Sequence, residues 1–494
     1  MTTPTGNQLP PAATPSAPSP APATGPATAP ATGPATAPAP RPAARPAVAL
    51  VAALLGFSLT SFDASAVTVS LTSLGEDLGG GIAGAQWVVD AYTLAFAGLM
   101  LSSGLLADRF GAARTYGAGL AAFVVTSALC GLAPSLGWLL AGRVAQGAAA
   151  AVILPSSLAL VRRAYSRPEA RVRALAVWAT GGSVAVALAP VLGGALTTAW
   201  GWRGIFFATL PLGLAALALL ARADRPAEPV VRGRRPDLAG QLTAVLAVTA
   251  LSVAVIEHGA VRWIAAGLAV LGALGFVRAE RRAAEPAVPL ALLRGRAVAT
   301  ALLAGSAAST GFFGLVFLYS LFFQQAQGNS ALETGLLFLP MTSLIAATNV
   351  VSGRLTARYG ARRPMLAGQV LATAGSLFLL LATGPGTSSV ALAFALVPLA
   401  LGCALTVPAL TTLMMEAVPA ARAGVAAGVL NAARQNMAGL ATAVFGSFVA
   451  GGFASGTRAS LAVTAVVFAG AALATYRLPK TDARATAPAP AGRS

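Results

Sequence analysis

From Val48 onward, apolar segments about as long as a helix must be to cross a bilayer alternate with short polar connections. Fourteen transmembrane helices are expected, over residues 47–71, 85–106, 115–132, 137–161, 174–198, 204–222, 238–256, 263–278, 297–323, 334–353, 365–383, 389–415, 423–450 and 460–477. Residues 1–46 break the pattern. They are nearly all Ala, Pro, Thr and Gly, a composition that cannot bury enough apolar surface to offset chain entropy, so a disordered tail is expected. No charged n-region followed by a short apolar core and a cleavage site opens the chain, so a cleaved secretory signal is not expected.

Two stretches resemble each other across an offset of 249 residues: SGLLADRFGAAR (Ser103–Arg114) and SGRLTARYGARR (Ser352–Arg363). Each follows the second helix of a six-helix block. The chain therefore parses as an N-terminal bundle (47–222), a linker with two extra helices (223–296), a C-terminal bundle (297–477) and a tail (478–494). Parallel repeats about an axis along the membrane normal are how a transporter builds a binding site between two rocking halves. The expected fold class is all-α integral membrane, with two six-helix bundles related by a pseudo-two-fold axis.

Composition agrees with a membrane location: 56% of residues are hydrophobic and 10% charged, with a mean hydropathy of +0.75. The net charge of +18 comes from arginines scattered in short clusters, not from one basic face, so nucleic acid is not an expected partner. With fourteen crossings, 28 of the 33 Lys and Arg residues fall in segments on one side. Arg203, Arg262 and Arg458 fall on the other, and Arg143 and Arg434 lie inside helices. Basic loops stay cytoplasmic, so both termini are expected there. Cys130 and Cys403 lie in apolar segments without zinc-ligand spacing and read as packing residues; no metal is expected. No GxxxxGK[ST], HExxH or nucleophile-plus-base pattern is present, so neither ATP use nor an enzyme is expected. His258, the single histidine, reads as an interfacial residue.

An ionisable side chain inside a span is a functional candidate. Of the fifteen acids, only Asp63 and Asp90 lie well within a helix, about 12 and 8 Å below the outer surface at 1.5 Å per residue. Neighbouring helices would hold the two carboxyls at one depth, ready to exchange a proton for a cation. Arg143 lies at the same level, with Gln146 and Gly147 on its helix face, and is expected to act as a fixed charge. Asn431, Arg434 and Gln435 form a second polar face, and Asn349 is a further amide candidate; these four, with Gln146, are expected to line the central cavity.

The stretches GLLADRFGAAR, RVAQG (Arg143–Gly147), WRGIFFATLPLG (Trp202–Gly213), NAARQNMAG (Asn431–Gly439) and FDASAVTVSL (Phe62–Leu71) together resemble the motifs of the 14-helix drug:proton antiporters of the major facilitator superfamily, over residues 47–477. The first departs at Ala112 and Ala113, where the family has basic residues. The antiporter motif of the fifth helix is present in part, as Pro190, Gly193 and Gly194, with Ala185 and Ala189 replacing glycines. The resemblance implies that Asp63 and Asp90 take part in substrate or proton recognition and that Arg143 takes part in proton coupling. It also implies that Asp108, with Gly104, Arg109, Gly111 and Arg114, latches the cytoplasmic side. The expected activity is export of antibiotics or cationic amphipathic drugs across the bacterial cytoplasmic membrane, driven by the proton gradient without a cofactor, by a monomer. Export of a neutral or anionic secondary metabolite, or a non-transporting receptor or scaffold, are the alternatives.

Overall fold

The computed structural model describes residues 45–223, 237–283, 288, 290–384, 386–419 and 422–479. The expected N-terminal tail, most of the 223–237 connection and nearly all of the C-terminal tail lie outside the described residues. Among the described residues every regular element is helical: one short helix, Leu290–Leu293, precedes the ninth of fourteen columns. They are α1 (Pro46–Leu78), α2 (Gly81–Phe110), α3 (Ala112–Gly131), α4 (Leu136–Ala164), α5 (Pro168–Trp200), α6 (Arg203–Arg222), α7 (Leu238–Ile256), α8 (Ala260–Arg282), α9 (Arg296–Ala326), α10 (Ala331–Leu337 and Leu339–Tyr359, bent by 42°), α11 (Arg362–Ala382), α12 (Ser389–Glu416), α13 (Ala423–Ala450) and α14 (Phe453–Tyr476). Each column falls on one expected helix. Eleven are long and apolar enough to cross a membrane, twelve if α10 is one bent span. The two that fall short are α3, which opens with Arg114, Thr115 and glycines, and α13, which carries Asn431, Arg434, Gln435 and Asn436. Packing embeds them anyway: Tyr116 of α3 is fully buried and donates to the Ala52 carbonyl of α1 at 2.6 Å.

The basic connection after α2 is shorter than its sequence suggests. The helix runs on to Phe110 and α3 starts at Ala112, leaving Gly111 at φ +90° as the whole turn. Only glycine adopts that backbone without steric cost. Gly360, at φ +76°, turns α10 into α11 in the same way, which is why the repeat writes its glycine twice.

Each bundle packs on itself. In the first, α1 lies against α4, α5 and α6, and α4 against α2 and α3; in the second, α9 lies against α12, α13 and α14, and α11 against α12 and α14. The extra helices α7 and α8 pair with each other, and α7 touches both α2 and α13, so it covers a line along which the two bundles meet. Glycines permit the closest crossings: a Cβ on Gly402 of α12 would stand 2.5 Å from the Gly368 carbonyl of α11.

The bundles are joined at the arginine-poor end. There Ser320 of α9 donates to the Thr68 carbonyl of α1 at 2.7 Å, and Gln324 donates to Val69 O at 3.0 Å. On another side α5 meets α10 so tightly that a Cβ on Gly194 would stand 2.3 Å from Ala331 O, and one on Gly335 2.3 Å from Pro190 O. Among the described residues no comparable packing joins α4 to α11 or α12. The arrangement is sealed at the arginine-poor end.

Candidate functional site

Asp63 is fully buried on α1, just before the tighter turn Val67–Ser70. Its Oδ2 accepts from Arg143 Nη1 at 2.6 Å and its Oδ1 from Gln146 Nε2 at 3.2 Å. The i, i+3 spacing of Arg143 and Gln146 on α4 aims both at α1. Arg143 Nη1 also reaches Gln146 Oε1 at 2.6 Å, and Gln146 Nε2 reaches Ser127 Oγ of α3 at 2.8 Å. From the other edge of the guanidinium, Nε donates to Val88 O of α2 at 3.1 Å, while Cζ stands 4.3 Å from the centre of the Tyr92 ring. Gly147 makes this geometry possible, because a Cβ there would lie 2.3 Å from the Tyr92 carbonyl. Four helices of one bundle thus converge on a charge pair shielded from water, where it is strong only because donors and acceptors are matched.

Asp90 is also fully buried, but it belongs to a different place. It is two residues from both Val88 and Tyr92, hence about 200° around α2 from each, and faces away from Arg143. Neither carboxyl oxygen has a hydrogen-bond partner of good geometry, and the Ser252 hydroxyl of α7 is close enough to act on it. Across from it lies α13: a Cβ on Gly439 would stand 3.3 Å from Asp90 Oδ1 and 2.8 Å from Thr93 Oγ1. One turn toward the arginine-poor end, Gln86 Nε2 donates to Ala443 O of α13 at 2.5 Å, beside Gly446. Gln86, Asp90 and Thr93 therefore form one stripe at the seam between bundles. The expectation that Asp63 and Asp90 share a site is not met. They have similar depth, but the body of α2 separates them.

The other expected residues are spread around this frame. Asn431, Arg434 and Gln435 are partly buried on α13. Arg434 is turned toward α9, its side chain lying 3.1 Å from a Cβ on Gly305, and its Nε has no partner. Asn349 Oδ1 is buried on α10 and also unpartnered. Pro190 and Gly194 form part of the α5–α10 contact, whereas Gly193 meets Ala66 of α1. Arg109 ends α2, 5.4 Å from the centre of the Phe110 ring, and Arg114 lies in the first turn of α3 rather than in a loop. The surroundings of Gly104 and the side chain of Asp108 lie outside what is described.

Sequence reasoning passed over Ser127, Tyr92, Gln86, Thr68 and Ser320. Gln86 carried a readable signal, an amide inside a span four residues before Asp90. Ser127 and Ser320 carried none, since small hydroxyl residues are common in membrane helices and usually bond their own backbone.

The sequence model of the Major Facilitator Superfamily matches residues 53–442. The chain is 36% identical over 408 residues to the multidrug resistance protein Stp of Mycobacterium tuberculosis (strain CDC 1551 / Oshkosh), covering 81% of this chain and 75% of that protein. It is 33% identical over 410 residues to the methylenomycin A resistance protein of Bacillus subtilis (strain 168), covering 81% and 87%. Among solved structures, a bacterial homologue of the human lysosomal transporter Spinster, in an inward-facing and unoccupied conformation, superposes with a TM-score of 0.65 at 18% identity, covering 88% of this chain and 96% of that one.

Proposed function

Because the chain belongs to the major facilitator superfamily, we propose that it exports a drug or antibiotic in exchange for protons, by alternating access between its two bundles. The observation that carries this reading is the pair of fully buried carboxyls, Asp63 and Asp90, in contrasting surroundings. One is matched by an arginine and an amide, the other by nothing. Exchange chemistry needs acids that change protonation when their environment changes; a rocking motion changes that of Asp90 at the seam between bundles, and a shift among the four helices around Arg143 would change that of Asp63. Arg143 stays charged throughout, so it holds Asp63 when that group is ionised and is released when a proton takes its place. The resistance relatives support export as the direction of transport.

In this reading the arginine-rich end faces the bacterial cytoplasm, both termini lie there, and the sealed end faces outward. Segments 47–222 and 297–477 move as the two bodies, with 223–296 supplying the extra helices, and one chain is the working unit. The test uses everted membrane vesicles energised with a proton gradient and a panel of cationic and neutral drugs. Drug addition should dissipate the gradient for the wild type and fail to do so for Asp63→Asn and Asp90→Asn. If no drug moves protons through the wild type, the reading is wrong.

A second reading, export of an anionic or acceptor-rich metabolite, is favoured by one feature: the partly buried Arg434 has no acidic partner among the described residues. In that case Arg434→Gln should remove transport of acidic solutes and spare that of cations.

A further inference from the structure

We propose that the groove between α2, α3 and α4 at the arginine-rich end holds an anionic phospholipid, with its phosphate on Arg109 and Arg114 and one acyl chain along the groove. The groove has a volume of about 860 Å³ and is lined by Leu106 and Phe110 of α2, Ala118 and Ala122 of α3, and Ala145 and Ala148 of α4, with the two arginines at one end. It stands apart from the exchange site. Ala145 and Ala148 lie about 140–200° around α4 from Arg143, on the side turned away from α1. Leu106 and Phe110 lie about five turns along α2 from Val88 and Tyr92, hence on the same face as those residues and away from the Asp90 stripe that meets α13. The groove therefore opens to the membrane and not to the space between the bundles.

Its length suits a lipid tail. From Arg114 to Thr126 the α3 wall runs for about 18 Å, against about 15 Å for the hydrocarbon of one leaflet. A chain anchored at the arginines thus reaches the middle of the bilayer. The alanines keep that path open, since Ala118, Ala122 and Ala145 are exposed and longer side chains at those positions would occupy it.

Charge selects the headgroup. Arg109 and Arg114 are both exposed, and among the described residues neither is ion-paired. A phosphate matches the guanidinium fork, and the positive end of the α3 dipole, which starts at Ala112, lies beside them. Two further grooves of the same bundle, along α1, α5 and α6, have no charged side chain in their linings. They can take a lipid tail but cannot choose its headgroup. The repeat supplies a contrast: in the second copy Arg358 and Arg363 both lie over the Tyr359 ring, 5.2 and 5.7 Å from its centre. Among the described residues of the first copy only Arg109 lies over its aromatic neighbour, Phe110, which leaves Arg114 to the groove.

The experiment is native mass spectrometry of the full-length protein in detergent, titrated with dioleoyl phosphatidylglycerol or dioleoyl phosphatidylcholine. One phosphatidylglycerol should stay bound to the wild type at concentrations where phosphatidylcholine does not. Arg109→Gln with Arg114→Gln should weaken that binding roughly 30-fold, as the loss of two interfacial arginines implies. Ala118→Leu with Ala122→Leu should abolish it with both arginines in place, because the added side chains fill the groove. Arg358→Gln with Arg363→Gln, the same charge change in the second copy, should leave it intact. Glycerol phosphate, which has the headgroup chemistry without the chains, should not displace the lipid. Equal binding of the two lipids, wild-type binding by either groove variant, loss of binding in the second-copy variant, or displacement by glycerol phosphate each overturns the proposal. The readout needs no transport, so a failure of the exchange reading leaves it standing.

Discussion

Arg143 Nη1 stands 2.6 Å from Asp63 Oδ2, with side-chain exposures of 1% and 0%. Removing one member of a buried ion pair leaves the other as an uncompensated charge, a loss of about 3–5 kcal/mol. Arg143→Ala should therefore unfold well below the wild type, in thermal melts of the purified protein. Asp63→Asn with Arg143→Gln should recover much of that stability, because the remaining groups are neutral and can still hydrogen-bond. The double variant should nonetheless fail to transport, which separates the structural from the coupling role of the pair.

Two glycines separate packing within a bundle from packing between bundles. A Cβ on Gly147 would stand 2.3 Å from the Tyr92 carbonyl inside the first bundle, and one on Gly194 2.3 Å from the Ala331 carbonyl across the seam. Backbone cannot yield at that distance without shifting a helix. Gly147→Ala should lower the melting temperature in every condition. Gly194→Ala should fold, but hold the arginine-poor end apart and give greater labelling of Ala450→Cys by an impermeant maleimide.

Gln86 ties α2 to α13 through a 2.5 Å bond to the Ala443 carbonyl. Losing one buried hydrogen bond costs about 1–3 kcal/mol, enough to move a balanced gate by roughly a factor of ten where 1.4 kcal/mol is lost. Gln86→Ala should increase maleimide labelling at the same outer position without lowering expression. Unchanged labelling would mean that this bond does not hold the gate.

Much of this architecture was legible in the sequence because membrane helices announce themselves by length and hydropathy, and arginine placement fixes their order. The buried polar helices α3 and α13 were found by continuity, since their own apolarity falls short. The candidate acids were legible for the same reason that they are costly: charges within spans are few. Which face of α2 each one meets was not legible. Asp63 and Asp90 read as a pair because depth follows from counting residues, whereas facing depends on how α2 is rotated against α4 and α13, and Gly147 and Gly439 set that rotation through contacts far apart in sequence. The turn at Gly111 was hidden by its basic neighbours, which read as loop although they sit on the ends of helices.

Gly111 and Gly360 turn the two repeats at φ +90° and +76°. With ψ at 142° and 165° this is backbone that essentially only glycine adopts, and a side chain there costs about 1–3 kcal/mol. Gly111→Ala and Gly360→Ala should each lower stability by that order in thermal melts, and Gly353→Ala, where an added Cβ meets open space, should not.

The most direct measurement is proton release on drug binding by the purified protein in weakly buffered solution, followed with a pH indicator. Binding should acidify the solution for the wild type and leave it unchanged for Asp90→Asn at equal drug occupancy. Drug binding to the wild type without any proton release would contradict proton-coupled exchange.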